Sequence, residues 1–479
     1  MKKYFFSLLL LCLLACNSCN KKGKVNEQDY TKTLNDFMQG QVEFNNFSGT
    51  VLVMRNDSQL LKKAYGLADR EWNTPNTIET KFHIASITKW FTAAAILKLE
   101  EMKKLSTDDK LSKYFPDYPK GNDVTIHMLL THTSGIADCF HLDSIHNARF
   151  SRYTLKEGSH GGLHFTFDKD SILSILKSSA YDFTPETDVS YSNSGYLLLG
   201  LIIEKVSGKS YDRFVQDYIL KPAGMFNSGV SRYDSILMYK AKGYQERENG
   251  FVNAFNEDFR VDQLFSAGSM YTTVDDLYKW DRILYGTKLL NETSKNKMFM
   301  PLVYKQGEDT YGYGCVIDSL SGHKRISMRG WVMGFKSVIY RFTEDNTCII
   351  ILSNNELRPA GIANCLFSII NNQPVENPYK HIAQKNATDH LTKYVGTYKY
   401  KFKDSFISTI EIIAKKNTLY RVAPAGGSDT TELIAESPKK FFYGDGSDRQ
   451  IKFNMNTQGK TLSLNMVSSG FIYEMIKVK

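Results

Sequence analysis

Apolar residues recur at helical spacing in four places along the chain. Leu34, Phe37 and Met38 predict a helix near the start of the folded region. "FHIASITKWFTAAAILKLEE" (82–101) predicts a helix opened by Ser86 and running to about Lys104. "LLLGLIIEKVSG" (197–208) predicts one closed by Gly208, and "TVDDLYKWDRILYG" (273–286) one capped by Thr273. Strand-like runs lie outside these. "FSGTVLVMRNDSQLLKKAYG" reads as a hairpin turning at Asn56-Asp57-Ser58, and "KRISMRG", "FKSVIYRF" and "TCIIILS" return to β-branched and aromatic runs between 324 and 353. Strands at both ends with helices between them predict an α/β sandwich whose sheet joins the two ends. Composition shifts at 371–388, "NNQPVENPYKHIAQKNATDH", and the chain beyond is all strand and turn, which predicts a small antiparallel β domain, a barrel or a sandwich.

The composition, 42% hydrophobic and 23% charged over 479 residues, is that of a globular protein large enough for two cores. A net charge of +9 comes from scattered lysines and arginines with no dense basic arm, which excludes a nucleic-acid patch as the reading of the charge. Seven cysteines stand at 12, 16, 19, 139, 315, 348 and 365, and the five from Cys19 onward are too widely spaced for a disulfide framework or a zinc ribbon. The first residues, "MKKYFFSLLLLCLLAC", place two lysines before an apolar run too short to span a bilayer. The Leu-Leu-Ala-Cys order resembles a bacterial lipoprotein processing site, in which Cys16 becomes the lipidated first residue. That resemblance implies a signal peptide over 1–15, a polar tether over 16–30, and anchoring to a membrane without crossing it. Asn17 after the cysteine fits an outer-membrane lipoprotein facing the periplasm.

Three motifs carry chemistry. Ser86-Ile87-Thr88-Lys89 puts a hydroxyl and an amine on one helix face, near a helix N-terminus where an oxyanion is stabilised. A serine is a poor nucleophile until a neighbour takes its proton. Tyr191-Ser192-Asn193 places a phenol and an amide two residues apart, on the same side of extended backbone. Met328-Arg329-Gly330-Trp331 is a strand with a glycine where another backbone or a ligand can approach closely.

These motifs, with "LLTHTSGI" (129–136), "AGM" (223–225), "SAGSMYTTVDDLYKW" (266–280) and "GFKSVIYRFTEDNTCIIILSNNE", occur in an order that resembles the serine β-lactamase and penicillin-binding-protein superfamily, in the branch with a Tyr-x-Asn second motif. The resemblance covers about residues 40–356. It implies a β-lactamase-like antiparallel sheet flanked by helices with a helical subdomain, a hydrolase domain over 31–370, a linker over 371–388 and a small barrel-like domain over 389–479. It also implies roles. Ser86 is the acylated nucleophile; Lys89 and Tyr191 share the proton transfer, with the choice of base left open; Asn193 orients substrate and lysine; the N–H groups of Ser86 and Trp331 form the oxyanion hole beside Gly330. No metal or organic cofactor is implied, and the partner is a small-molecule or peptide substrate: a D-amino-acid peptide, a small ester or a β-lactam. Oligomeric state is left open.

One departure stands out. The family's third motif begins with Lys or His, and this chain has Met328, which donates no hydrogen bond. Arg329 either supplies a bidentate carboxylate contact in its place or, since neighbours on a strand alternate, points to the opposite face. The missing cation also raises an alternative function, a binding protein or sensor that kept the fold and lost turnover. Asp138, Cys139, His141, Asp143, His146, His160 and His164 have metal-ligand chemistry, but their spacing matches no known zinc pattern, so a polar lid is the reading of that stretch. His132 reads as a structural histidine.

Overall fold

The computed structural model describes residues 27–138, 169–178, 180–232, 234–247, 249–254, 261–302, 310–384, 391–402, 405–422 and 430–479. Helix α1 (Glu27–Asn45) buries Leu34, Phe37 and Met38 and leads into a hairpin of β1 (Gly49–Arg55) and β2 (Ser58–Tyr65). Asn56 and Asp57 turn that hairpin with φ of 49° and 63°, the left-handed pair that follows the natural twist of the strands. Three helices then form the body of the helical side: α2 (Thr88–Glu101), α3 (Asn193–Ser207) and α4 (Val274–Ile283). The chain returns to the sheet through β3 (Tyr311–Gly312), β4 (Cys315–Leu320), β5 (His323–Val332), β6 (Phe335–Phe342) and β7 (Thr347–Ser353), and closes the domain with α5 (Pro359–Ile370).

Among the described residues these strands make a seven-stranded antiparallel sheet in the order β3-β4-β5-β6-β7-β1-β2. The β7–β1 pairing, with Val51 opposite Ile351, joins the two ends of the domain as the strand pattern predicts. Alternation along the strands gives the sheet two apolar faces. Leu52, Met54, Met328, Ile339 and Ile350 face α2, α3 and α4; Val51, Val53, Val338, Tyr340 and Ile351 face α1 and α5. Eleven of the fourteen residues of α2 are buried, so this helix is the axis of the helical side rather than a surface helix with one wet face. α3 packs against a short turn at 265–268 so closely that a Cβ on Gly200 would lie 2.0 Å from Ser266 Oγ.

The helix read from Ser86 to Lys104 is shorter and begins differently. Ala85–Ile87 is a 3₁₀ turn, with Ala85 at φ 43°, and regular α-helix starts at Thr88 and ends at Glu101. Ser86 is therefore inside a turn and is not a capping residue. The other two readings match in kind. α3 ends on left-handed Gly208, and Thr273 caps α4 by accepting a hydrogen bond from Asp276 N.

The C-terminal strands close into a barrel of eight: β8 (Gly396–Phe402), β9 (Ser405–Lys415), β10 (Thr418–Val422), β11 (Thr430–Ser437), β12 (Lys440–Tyr443), β13 (Gln450–Met455), β14 (Thr461–Ser468) and β15 (Phe471–Lys477). Pairing of β15 with β8 removes the open edges. The barrel meets the α1 and α5 side of the sheet. Gln41 Nε2 and Cys365 Sγ both donate to Ser469 O, at 3.1 and 3.2 Å. The connecting segment is docked too: Glu376 N reaches Gly470 O at 2.9 Å, and the His381 ring stacks on Phe442.

A buried ion pair pins α4 to the sheet. Arg341 on β6 binds Asp281, which also takes Arg282 Nε at 2.7 Å, and Asp281 and Arg341 are both out of solvent. Removing one partner leaves an unpaired buried charge. We expect Asp281→Ala to lower unfolding free energy by about 3–5 kcal/mol in denaturant titration, while Asp275→Ala, which breaks a half-exposed pair with Lys62, costs roughly 1 kcal/mol or less. Equal losses for the two would overturn this assignment.

Candidate active site

The site is built where three segments meet the start of α2. The two-residue strand Phe82–His83 pairs with Tyr271 and Thr272, and Ile84 N donates to Met270 O at 3.0 Å. That fixes the chain entering the 3₁₀ turn. Ile87 N finds Ile84 O at 3.1 Å; the Ser86 N–H one residue earlier belongs to the stretch of a helix start that has no acceptor within the helix. β5 closes the other side. A Cβ on Gly330 would lie 2.0 Å from Ile84 O, so only glycine lets the strand come this near the Ser86 turn.

Ser86 Oγ accepts from Tyr191 OH at 2.7 Å and from Lys89 Nζ at 3.2 Å. Lys89 is fully buried and donates twice more, to Asn193 Oδ1 and to Ala267 O, each at 2.8 Å. Three N–H bonds with three acceptors describe an ammonium whose donors are all satisfied. The cation also lies 4.8 Å from the centre of the Tyr191 ring. Burial raises the Tyr191 phenol above its ordinary range, and the hydrogen bond to Ser86 only partly offsets this, so the resting group is a neutral phenol.

Tyr191 and Asn193 are held by the "LLTHTSGIAD" segment. His132, at φ 61°, accepts Ser190 N at its carbonyl and Ser192 N at Nδ1, both at 3.0 Å. Its ring lies 4.6 Å from that of Tyr191. Ser192 Oγ caps α3 by accepting Gly195 N and donates to Ile136 O at 3.1 Å. Burial, helped by nearby Lys89, holds the His132 imidazole down to about 3, so it is neutral and acts as an acceptor. Asp138 ends the segment: its Oδ2 accepts Asn193 Nδ2 at 2.8 Å and Asn193 N at 3.3 Å.

Of the residues singled out in the sequence, Ser86, Lys89, Tyr191 and Asn193 therefore share one hydrogen-bonded cluster, and Gly330 packs on the turn that carries Ser86. Trp331 follows Gly330 on β5, with its side chain 63% exposed. Arg329 is a correction. It pairs across the sheet with Val338, whose side chain belongs to the α1 and α5 face, and its charge acts on the buried Tyr340 phenol there. Strand alternation puts it on the side away from Ser86, so it is no carboxylate ligand in this site. Met328 is on the near face and buried in the apolar core. Cys16 and the residues at 139–164 lie outside the described residues. Two contributors are not singled out by the sequence. Ala267 acts through a carbonyl, which leaves no side-chain signature. Asp138 reads with the histidines after it, although it directly follows "LLTHTSGIA".

Comparison with known proteins shows the family. The Beta-lactamase family model matches residues 34–364. "Penicillin-binding protein 4*" of Bacillus subtilis is 28% identical over 441 residues, covering 88% of this chain and 92% of that protein. A "Teichoic acid D-alanine hydrolase" of Staphylococcus aureus is 26% identical, covering 66% of this chain and 74% of its own length. The crystal structure of a penicillin-binding protein from Bacillus halodurans superposes with a TM-score of 0.57 at 29% identity, over 70% of this chain and 98% of the other. The chain belongs to the Beta-lactamase family. Within it, this is a serine hydrolase of the penicillin-binding-protein type.

Two buried histidines set a pH limit. His83 and His132 both have imidazoles lowered from 6.5 to about 3, chiefly by burial. The unfolded chain therefore binds more protons than the folded one between those values, and stability falls as pH drops from 6.5 toward 3. We expect unfolding free energy to fall by about 1.4 kcal/mol per pH unit for each histidine between pH 6 and 5, where carboxylates barely titrate. Denaturant titrations at the two pH values check this, and a flat response would contradict it. Separately, Gly330→Ala should drive β5 off the Ser86 turn and reduce acylation of Ser86 by at least about tenfold, a loss of roughly 1.4 kcal/mol in the transition state, with the fold retained by circular dichroism.

Proposed function

We propose that this chain is a lipid-anchored, extracytoplasmic acyl-serine hydrolase that acts on D-aminoacyl esters and amides. The observation that carries the acyl-serine chemistry is Ser86 Oγ standing 2.7 Å from Tyr191 OH and 3.2 Å from an ammonium held by fixed acceptors. In the reaction Ser86 Oγ bonds to the substrate carbonyl carbon. Its proton passes to the Tyr191 oxygen as Tyr191 gives its own to the leaving amine or alcohol, so no free phenolate is required. Lys89 stays an ammonium and stabilises negative charge on the two oxygens. The N–H groups of Ser86 and Trp331 hold the oxyanion. Water then attacks the acyl-enzyme, and its proton returns by the same route to Ser86.

Substrate class follows from charge. A peptide with a terminal carboxylate next to its scissile bond would gain from a cation on the near face of β5. Met328 occupies that corner and Arg329 lies on the far face. This favours acyl donors whose leaving group is neutral, such as esters, and the staphylococcal relative named as a teichoic acid D-alanine hydrolase supports a D-alanyl group in the substrate. The N-terminal "MKKYFFSLLLLCLLAC" supports the membrane address through Cys16, and among the described residues no helix is long and apolar enough to cross a membrane.

The test compares release of D-alanine from D-alanine methyl ester with its release from a peptide ending in D-alanyl-D-alanine, beside a Ser86→Ala control. We expect the ester to turn over at least about tenfold faster in kcat/KM, Ser86→Ala to abolish both, and Met328→Lys to narrow the gap. A faster peptide would point to a carboxypeptidase. Absence of any Ser86-dependent turnover or acyl adduct in folded protein would favour a binding protein or sensor.

A further inference from the structure

We infer that Asp138 is a positioning residue for Lys89, acting through the Asn193 amide; this rests on the acyl-serine reading above. An asparagine amide is nearly symmetric in shape but not in chemistry, since one end accepts and the other donates. Lys89 needs an acceptor. If the Asn193 amide turned over, its NH₂ would face the ammonium, donor against donor. A carboxylate can only accept, so Asp138 Oδ2, at 2.8 Å from Asn193 Nδ2, ties down the donating end and leaves Oδ1 for Lys89 at 2.8 Å. Asp138 is itself fixed by Asn193 N at 3.3 Å, in the first turn of the fifteen-residue α3, where the helix dipole favours an anion.

Charge gives the second reason. Lys89 is out of solvent, and among the described residues the groups that face it are Ser86, the Asn193 amide, the neutral phenols Tyr191 and Tyr196 at 4.8 and 5.5 Å to their ring centres, neutral His132, and the Ala267 carbonyl. Tyr311 stands beyond Tyr191 and Cys315 beyond Tyr196, both within electrostatic reach of those phenols. The carboxylate reaching this group is that of Asp138, one amide away. It keeps Lys89 charged and all three of its protons directed at acceptors.

The experiment measures the rate of Ser86 labelling by a fluorophosphonate from pH 5 to 10 in the full-length chain, with melting temperatures recorded for each variant. Wild type should be labelled at Ser86, with a basic limb that reports loss of the Lys89 proton. Asp138→Asn should slow labelling at least about tenfold at neutral pH and move that limb down by about one pH unit, as loss of a nearby anion makes the ammonium easier to deprotonate. Asp138→Glu should recover part of the rate and restore the limb. Asp138→Ser, which removes the carboxylate but leaves Asn193 Oδ1 on Lys89, should move the limb the same way, and it decides the matter if Asp138→Asn fails to fold. A basic limb unmoved in Asp138→Asn or in Asp138→Ser, whatever the rate, would overturn the proposal. Failure of wild type to label at Ser86 would instead overturn the acyl-serine reading on which it rests.

Discussion

A buried ammonium is tolerable only when its N–H bonds meet acceptors that do not move, and Lys89 meets that condition with groups from three separate segments. Ser86 comes from the turn before α2, Asn193 from the first turn of α3, and Ala267 from the turn packed on α3. Each acceptor has to be placed to a fraction of an ångström. Much of the helical side can be understood as the means of doing so. α2 is buried all round because its first turn has to stand at the centre of the molecule. Gly200 has no side chain because α3 and the 265–268 turn converge there, carrying two of the three acceptors between them.

The sheet has a different part in the same constraint. β5 brings Gly330 against Ile84 O, so the Ser86 turn is clamped between a strand edge on one side and the Met270–Thr272 segment on the other. Ala85 holds a φ of 43°, a conformation that costs a non-glycine residue about 1–3 kcal/mol and persists only where its surroundings determine it. Those surroundings are the clamp. The Asp281–Arg341 pair transmits rigidity from α4 to β6, next to β5. The barrel packs on the far face, against α1 and α5.

How much of this was legible depended on what leaves a trace in a side-chain pattern. The hairpin at Asn56-Asp57, the strand return at 324–353 and the cap at Thr273 each have a local cause, and each was read correctly in kind. Spacing brings Ser86 and Lys89 together in the sequence, but S-x-x-K occurs by chance in many helices, and the resemblance singled this one out. Tyr191 and Asn193 needed the resemblance, since nothing local distinguishes a site tyrosine from a core one. Ala267 was illegible because its contribution is a carbonyl. The left-handed Ala85 gives no compositional signal either, as alanine is the residue least expected to mark a broken helix start. Arg329 shows the limit of parity arguments. Alternation left two faces open, and only the register with Val338 chose between them.

Met328 now has a physical setting rather than being merely a departure from a motif. A lysine there would place a second cation on the near face of β5, in a corner now filled by apolar atoms of the main core. A buried cation needs an anion, and the site's carboxylate, Asp138, is already bound to Asn193 and the start of α3. Among the described residues bonded to the cluster, the second cation would therefore lack a partner until a substrate brought its own carboxylate. With methionine there instead, Lys89 and Asp138 are already matched through Asn193 before substrate arrives. Such a site gains nothing from a charged leaving group and has to desolvate it without compensation. On the reading proposed above, the identity of one residue on β5 would set the preference for a neutral leaving group while the acyl-transfer machinery beside it is unchanged.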